Sequence, residues 1–343
     1  MNIQKKLSKL GIEKVEELNY KDINYISHYV ANLMTKTFPF LGDKYNEILS
    51  KILCCKMYYA KIEENISSCN YIIEENAIYI DENVNIFEPN EQLFHEIIHY
   101  LQVVRNKSGK IKKMGLCNFG DFSIRGLGLN EAIVQYMSSR MVGADLQTIN
   151  ACGINLKTIS PALYPILTNL MEQMIYLLGE KVIVEETIAV AVENEFEEQF
   201  YNTFEEKGNQ IIKNFDRILD LKNVLASMNG EEERMNPEEE IANIYISTQE
   251  IMIRKYFDNI VGRLTEIEEI DFYIEKFLNY KKLIGLIKRE NYTSIDFYEQ
   301  YKDEIMKKFD KRLMKISKDK GKNTLSKYNN KLGRFFRKIL SQL

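Results

Sequence analysis

His95-Glu96-Ile97-Ile98-His99 sets two imidazoles four residues apart, with a carboxylate directly after the first. On a helix, residues i and i+4 lie one above the other, so both rings reach a single ion. Glu96 falls about a quarter-turn away. That is too offset for a third ligand, yet it places the carboxylate beside a water on the ion. Zinc lowers the pKa of such a water toward about 7, and an adjacent carboxylate takes the proton. Histidine is scarce, with three in 343 residues: His28, His95 and His99. The surrounding stretch is strongly apolar, through Leu93, Phe94, Ile97, Ile98, Leu101, Val103 and Val104. Two unpaired imidazoles in a helix buried on several sides are costly, and a metal satisfies them.

A catalytic zinc site needs a third protein ligand and an open position. No histidine follows His99, and position 105, where HExxHxxGxxH would place its last one, is Arg105. His28 lies far upstream and reads as a helix-surface residue. The third ligand is therefore a carboxylate. Glu131 opens a helix behind the glycine-rich turn in Gly128-Leu129-Asn130-Glu131, so its side chain can face the first helix across the metal. Asp121, in Gly120-Asp121-Phe122, is the alternative.

These residues need elements to hold them. The first 65 residues read as helical, with Ile23, Ile26, Val30 and Met34 at helical spacing and a second such stretch from Tyr45 to Ile62. Tyr71-Ile72-Ile73 and Ala77-Ile78-Tyr79-Ile80 are β-prone runs around Glu74-Glu75-Asn76, which predicts a hairpin and one small sheet. Asn90 is the expected N-cap of the cassette helix, Glu91 to Val104, with Glu91 favourable in its first turn. Asn106 to Gly128 holds five glycines and reads as loop or hairpin. Helices are expected from Asn130 to about Met141 and from near Pro161 to Leu178, with helix-like sequence continuing to Ser227. The run Met228 to Glu233, reinforced by Asn236-Pro237, marks a boundary. Three regions are expected: 1–68 helical, 69–228 catalytic, and 229–343 helical with a basic tail. The fold class is α+β and mostly helical.

The two-part pattern, HExxH followed by Asn130-Glu131-Ala132, resembles the gluzincins. These are zinc peptidases that include thermolysin-like enzymes and zinc aminopeptidases. Tyr136, five after Glu131, matches the aminopeptidase form, and the hairpin ahead of the cassette looks like the edge strand that lines the cleft in such enzymes. The resemblance spans Tyr71 to Tyr136. It implies a zincin-like core with zinc on His95, His99 and Glu131, and Glu96 as the base. Three features depart from the family. Thirty-one residues separate His99 from Glu131, more than is usual. Gln135 stands where thermolysin-like enzymes carry an aspartate that orients a histidine, and no Gly-x-Met-Glu-Asn exopeptidase motif occurs. The cysteine-ligand pattern of peptide deformylase is met by neither Cys69 nor Cys117. A phenol or imidazole to stabilise the oxyanion is expected, with Tyr136 and Tyr164 the candidates and Asn130 a further oxyanion or supporting residue.

The resemblance thus implies a peptidase acting on a peptide or protein. The alternative is a zinc-containing regulatory or protein-binding module without hydrolytic activity. The five scattered cysteines form no CxxC pair, which argues against a zinc knuckle or a disulfide framework. The first twenty residues hold no apolar signal core, and no run approaches 18 apolar residues. A cytoplasmic protein without a membrane span, and without a nucleic-acid partner, is expected. The net charge of -4 hides a basic C-terminal segment, Tyr301 to Leu343, with 14 Lys and Arg against 4 Asp and Glu. Its amphipathic end, Leu332 to Leu340, is expected to be solvated or to dock on an acidic surface.

Overall fold

Asn19 opens the first long helix of the computed structural model, which describes residues 3–119, 124–188, 195–228, 230–289 and 292–320. The Asn19 side chain accepts from the Asp22 amide at 3.0 Å, the local bond that favours asparagine at an N-cap. The elements run α1 (Ile3–Lys9), β1 (Ile12–Glu17), α2 (Tyr20–Thr37), α3 (Tyr45–Leu53) and β2 (Lys56–Ile62). The uniformly helical reading of this region is therefore corrected by two strands. β1 has one buried residue in six, so it carries no alternation to read. β2 is covered on both faces, which also erases the polar–apolar alternation of a half-buried strand.

The expected hairpin is present as β3 (Cys69–Ile72) and β4 (Ala77–Asp81), turning through Asn76 at φ 53. Strand order is β1-β2-β4-β3, antiparallel except between β2 and β4. Side chains alternate across this sheet. Met57, Ile78 and Ile80 enter the main core, whereas Tyr58, Ala60, Ala77 and Tyr79 form a smaller cluster with Leu7 of α1. β3 is left as the edge strand and packs beside the cassette helix.

That helix, α4 (Glu91–Gln102), starts on Asn90 as expected but ends two residues early, where β5 (Val103–Arg105) turns extended to pair with β6 (Ile111–Met114). β7 (Asn118–Phe119), β8 (Ile124–Arg125) and α5 (Leu127–Met141) follow. A hairpin absent from the sequence reading comes next, β9 (Gln147–Ala151) and β10 (Ile154–Thr158). Its turn, Cys152-Gly153, has φ of 51 and 74, the backbone a two-residue hairpin loop requires. The body is completed by α6 (Pro165–Leu178), α7 (Glu180–Ile188), α8 (Glu195–Phe204) and α9 (Gly208–Ala226).

Pro237 does not mark a break. It lies inside the 33-residue α10 (Glu231–Arg263), where it has no N–H to offer the Glu233 carbonyl near the exposed helix start. α11 (Ile267–Tyr280), β11 (Leu286–Arg289), β12 (Tyr292–Thr293) and α12 (Ser294–Lys320) follow. β11 pairs with β10. Tyr245 and Tyr280 bond the buried amides Asn169 and Gln173 of α6. One large apolar core runs from Leu18 to Ile316 and draws on all three sequence regions. The class is α+β, mostly helical. Among the described residues no helix is long and apolar enough to cross a membrane. Asp121 and the tail after Lys320 lie outside the described residues.

Candidate metal centre

α4 and α5 pack against one another and bring three donors to one point. His95 Nε2 lies 3.0 Å from His99 Nε2, and each is 3.3 Å from a Glu131 carboxylate oxygen. His95, His99 and Glu131 are the one group of three or more histidine, cysteine or acidic side chains among the described residues whose ligand atoms all lie within 4.8 Å. Ligand bonds of about 2.0–2.1 Å in a tetrahedron separate the ligand atoms by about 3.3 Å. The donor set therefore fits a small divalent ion.

The imidazole tautomers follow from two hydrogen-bond chains, each anchored on a group with only one possible role. Behind His99, the Leu116 amide donates to Asn130 Oδ1 at 3.0 Å. Asn130 Nδ2 must then donate to Gln102 Oε1, at 2.9 Å, so the His99 Nδ1 that meets the same oxygen at 3.3 Å carries the proton. Behind His95, the Glu91 carboxylate accepts from Gln135 Nε2 at 2.8 Å. Gln135 Oε1 therefore faces His95 Nδ1 at 3.0 Å as acceptor. In the neutral rings both Nε2 atoms are left as lone pairs aimed at one another and at a carboxylate. Such a set is repulsive without positive charge at its centre.

The electrostatics carry the same demand. Burial lowers the His99 pKa, but the Glu131 charge and hydrogen bond outweigh it and push it up to about 9. Burial acts to raise Glu131, yet His99 and His95 hold its carboxyl well below the usual range. Glu96 is raised, chiefly by burial, although both histidines oppose the shift. Its Oε2 accepts the Tyr71 amide of edge strand β3 at 2.8 Å, which fixes one oxygen and leaves the other for a water or substrate. Glu96, Asn70, Tyr71 and Ile72 share a cleft of about 550 Å³ with the turn from α1 to β1.

Gln135 thus meets His95 directly, where an aspartate would be expected to do the orienting, whereas Asn130 reaches His99 only through Gln102. Gln102 was missed, although its place three residues after His99 was a usable cue. Gly115 keeps this arrangement possible, because a Cβ there would meet Asn130 Oδ1 at 2.1 Å and Gln102 Nε2 at 2.5 Å. Tyr164 stands beside the centre, its ring 6.3 Å from that of His95 at 24°. Burial, then the charges of Glu131 and Glu96, raise its phenol pKa. Tyr136 is not brought in. Its hydroxyl donates to Glu180 at 2.6 Å and accepts from Arg140 at 2.7 Å. Five positions turn a helix by about 140° from Glu131, whereas the four to Gln135 leave only about 40°. His28 is exposed and meets the Tyr45 hydroxyl at 3.1 Å. Lys222 of α9, with Nζ 3.6 Å from the Tyr164 ring centre, had no local sequence signal. Compared with protein-family models, curated proteins and solved structures, the chain gave no match.

Proposed function

We propose that the chain is a zinc-dependent peptidase of gluzincin type, with a zincin-like core and a peptide or protein substrate. The observation that carries this reading is the convergence of two Nε2 lone pairs and a carboxylate, each imidazole held from behind, beside a carboxylate that opens on a cleft. His95, His99 and Glu131 would hold the zinc, which when bound supplies a Lewis acid that activates water and polarises a carbonyl. Glu96 takes the proton of the attacking water at its free oxygen. It returns that proton to the amide nitrogen as the C–N bond breaks, releasing a carboxylate and an amine. Tyr71, through its backbone amide, keeps Glu96 aimed into the cleft. Tyr164, kept protonated by burial, offers its O–H to the carbonyl oxygen as negative charge gathers there. The cleft beside edge strand β3 suits an extended chain. The proposed compartment is the cytoplasm.

Elemental analysis after dialysis against metal-free buffer tests the centre. One zinc per chain is expected, lost or greatly weakened in Glu131→Ala. Glu96→Gln should keep the zinc and lose at least about a hundredfold in peptide hydrolysis. Retained hydrolysis in that variant removes the assignment of the base. Zinc retained without hydrolysis of broad peptide libraries, together with a stoichiometric protein partner, would instead establish the binding-module reading.

A further inference from the structure

Next to the metal centre is a second recess, of about 470 Å³, whose wall includes Tyr164, Ile218, Leu225, Lys222 and Arg234. Tyr164 belongs to both places. Its ring stacks on His95 and also carries the Lys222 ammonium, 3.6 Å from the ring centre. The two cations of the recess differ. Arg234 is neutralised, with Glu238 at 3.4 Å and the Leu225 carbonyl at 3.3 Å. Lys222 is half-buried and has no ion-pair partner among the described residues. The Glu131 charge acts on the ammonium without an ion-pair contact, but Glu131 is already engaged by His95 and His99, and the face of an aromatic ring compensates for only part of the cost of drawing an ammonium out of water. Apolar walls with one unpaired cation at hand are the chemistry of a pocket for an apolar group bearing a single negative charge. On a peptide that charge is a carboxylate.

We infer that this recess is the specificity pocket of the site and that Lys222 receives a substrate carboxylate there, an inference that rests on the peptidase reading. The carboxylate is either the C-terminal one of a peptide cut near its end or the side chain of an acidic residue close to the cut. Both sources are tested by binding three dansylated tripeptides to the Glu96→Gln protein: glycyl-glycyl-leucine with a free carboxylate, its amide, and the amide of glycyl-glycyl-glutamate. Tenfold or tighter binding of the free carboxylate over the leucine amide is expected. That preference should vanish when Lys222→Met is added and persist with Lys222→Arg. A glutamate amide as tight as the free carboxylate would show that either carboxylate is accepted, and a Lys222-dependent preference for the glutamate amide alone would assign the side chain as the source. Three equal affinities, no binding of any at millimolar concentration, or a preference that survives Lys222→Met would overturn the inference. A Lys222-dependent preference in a zinc-loaded protein that cleaves nothing leaves the pocket standing and removes the peptidase reading. Cleavage without the preference does the reverse.

Discussion

Helices α4 and α5 together supply the three donors, yet they begin in different ways. α4 is started by its own neighbour, since Asn90 accepts from the Leu93 amide at 2.9 Å. α5 is started from α9, where the Asp216 carboxylate accepts from the Gly126 and Gly128 amides at 2.9 and 2.8 Å. A carboxylate at that end also meets the positive pole of the helix. The contrast teaches that the His95 and His99 side of the centre is built locally, whereas the Glu131 side depends on the docking of a distant helix. α9 therefore bears on the candidate metal centre without contributing a donor to it.

The sharpest way to break this contrast is Gly128→Ala. A Cβ there would lie 2.2 Å from the Phe215 carbonyl oxygen, so α9 must move away from α5. A loss of about 3 kcal/mol is expected in urea unfolding, with a fall in zinc content; unchanged stability would mean the two helices tolerate separation. Asp216→Ala should lose about 2 kcal/mol and weaken zinc binding, because two amides of α5 are left unsatisfied. Zinc affinity that stays at the wild-type level would unlink α9 from the centre. Gln135→Leu takes the acceptor from His95 Nδ1 and should weaken zinc binding ten- to a hundredfold in chelator competition. Asn90→Ala is expected to cost about 1 kcal/mol of stability and to leave zinc affinity alone. A drop in affinity there as large as that of Asp216→Ala would erase the distinction between the helices.

How far the site was legible follows the same line. The i, i+4 histidines and the Asn90 cap lie within one or two helical turns, so their spacing already placed them. That Glu131 converges with the histidines was reachable because the zinc reading called for a third donor and few residue types qualify. The start of α5 was misplaced by three residues, at Asn130 rather than Leu127, because its cap comes from Asp216. Tyr136 was misassigned because motif position ignored the helical rotation that carries it to Glu180 and Arg140. The hairpin through Cys152-Gly153 was overlooked because asparagine or aspartate, not cysteine, is the usual residue before such a glycine.

By itself the sequence determined the cassette helix, its cap, the β3–β4 hairpin, the mostly helical class and the identities of three convergent donors. Helical period, caps and tight turns act over a few residues, which is the range a linear pattern records. Only the tertiary structure decided that β1 and β2 join the β3–β4 hairpin in one sheet, that α9 caps α5, and that Lys222 lies over the ring of Tyr164. Strand pairing, coverage of both sheet faces and caps donated from afar join groups tens of residues apart. They leave no periodic trace in the residues that make them.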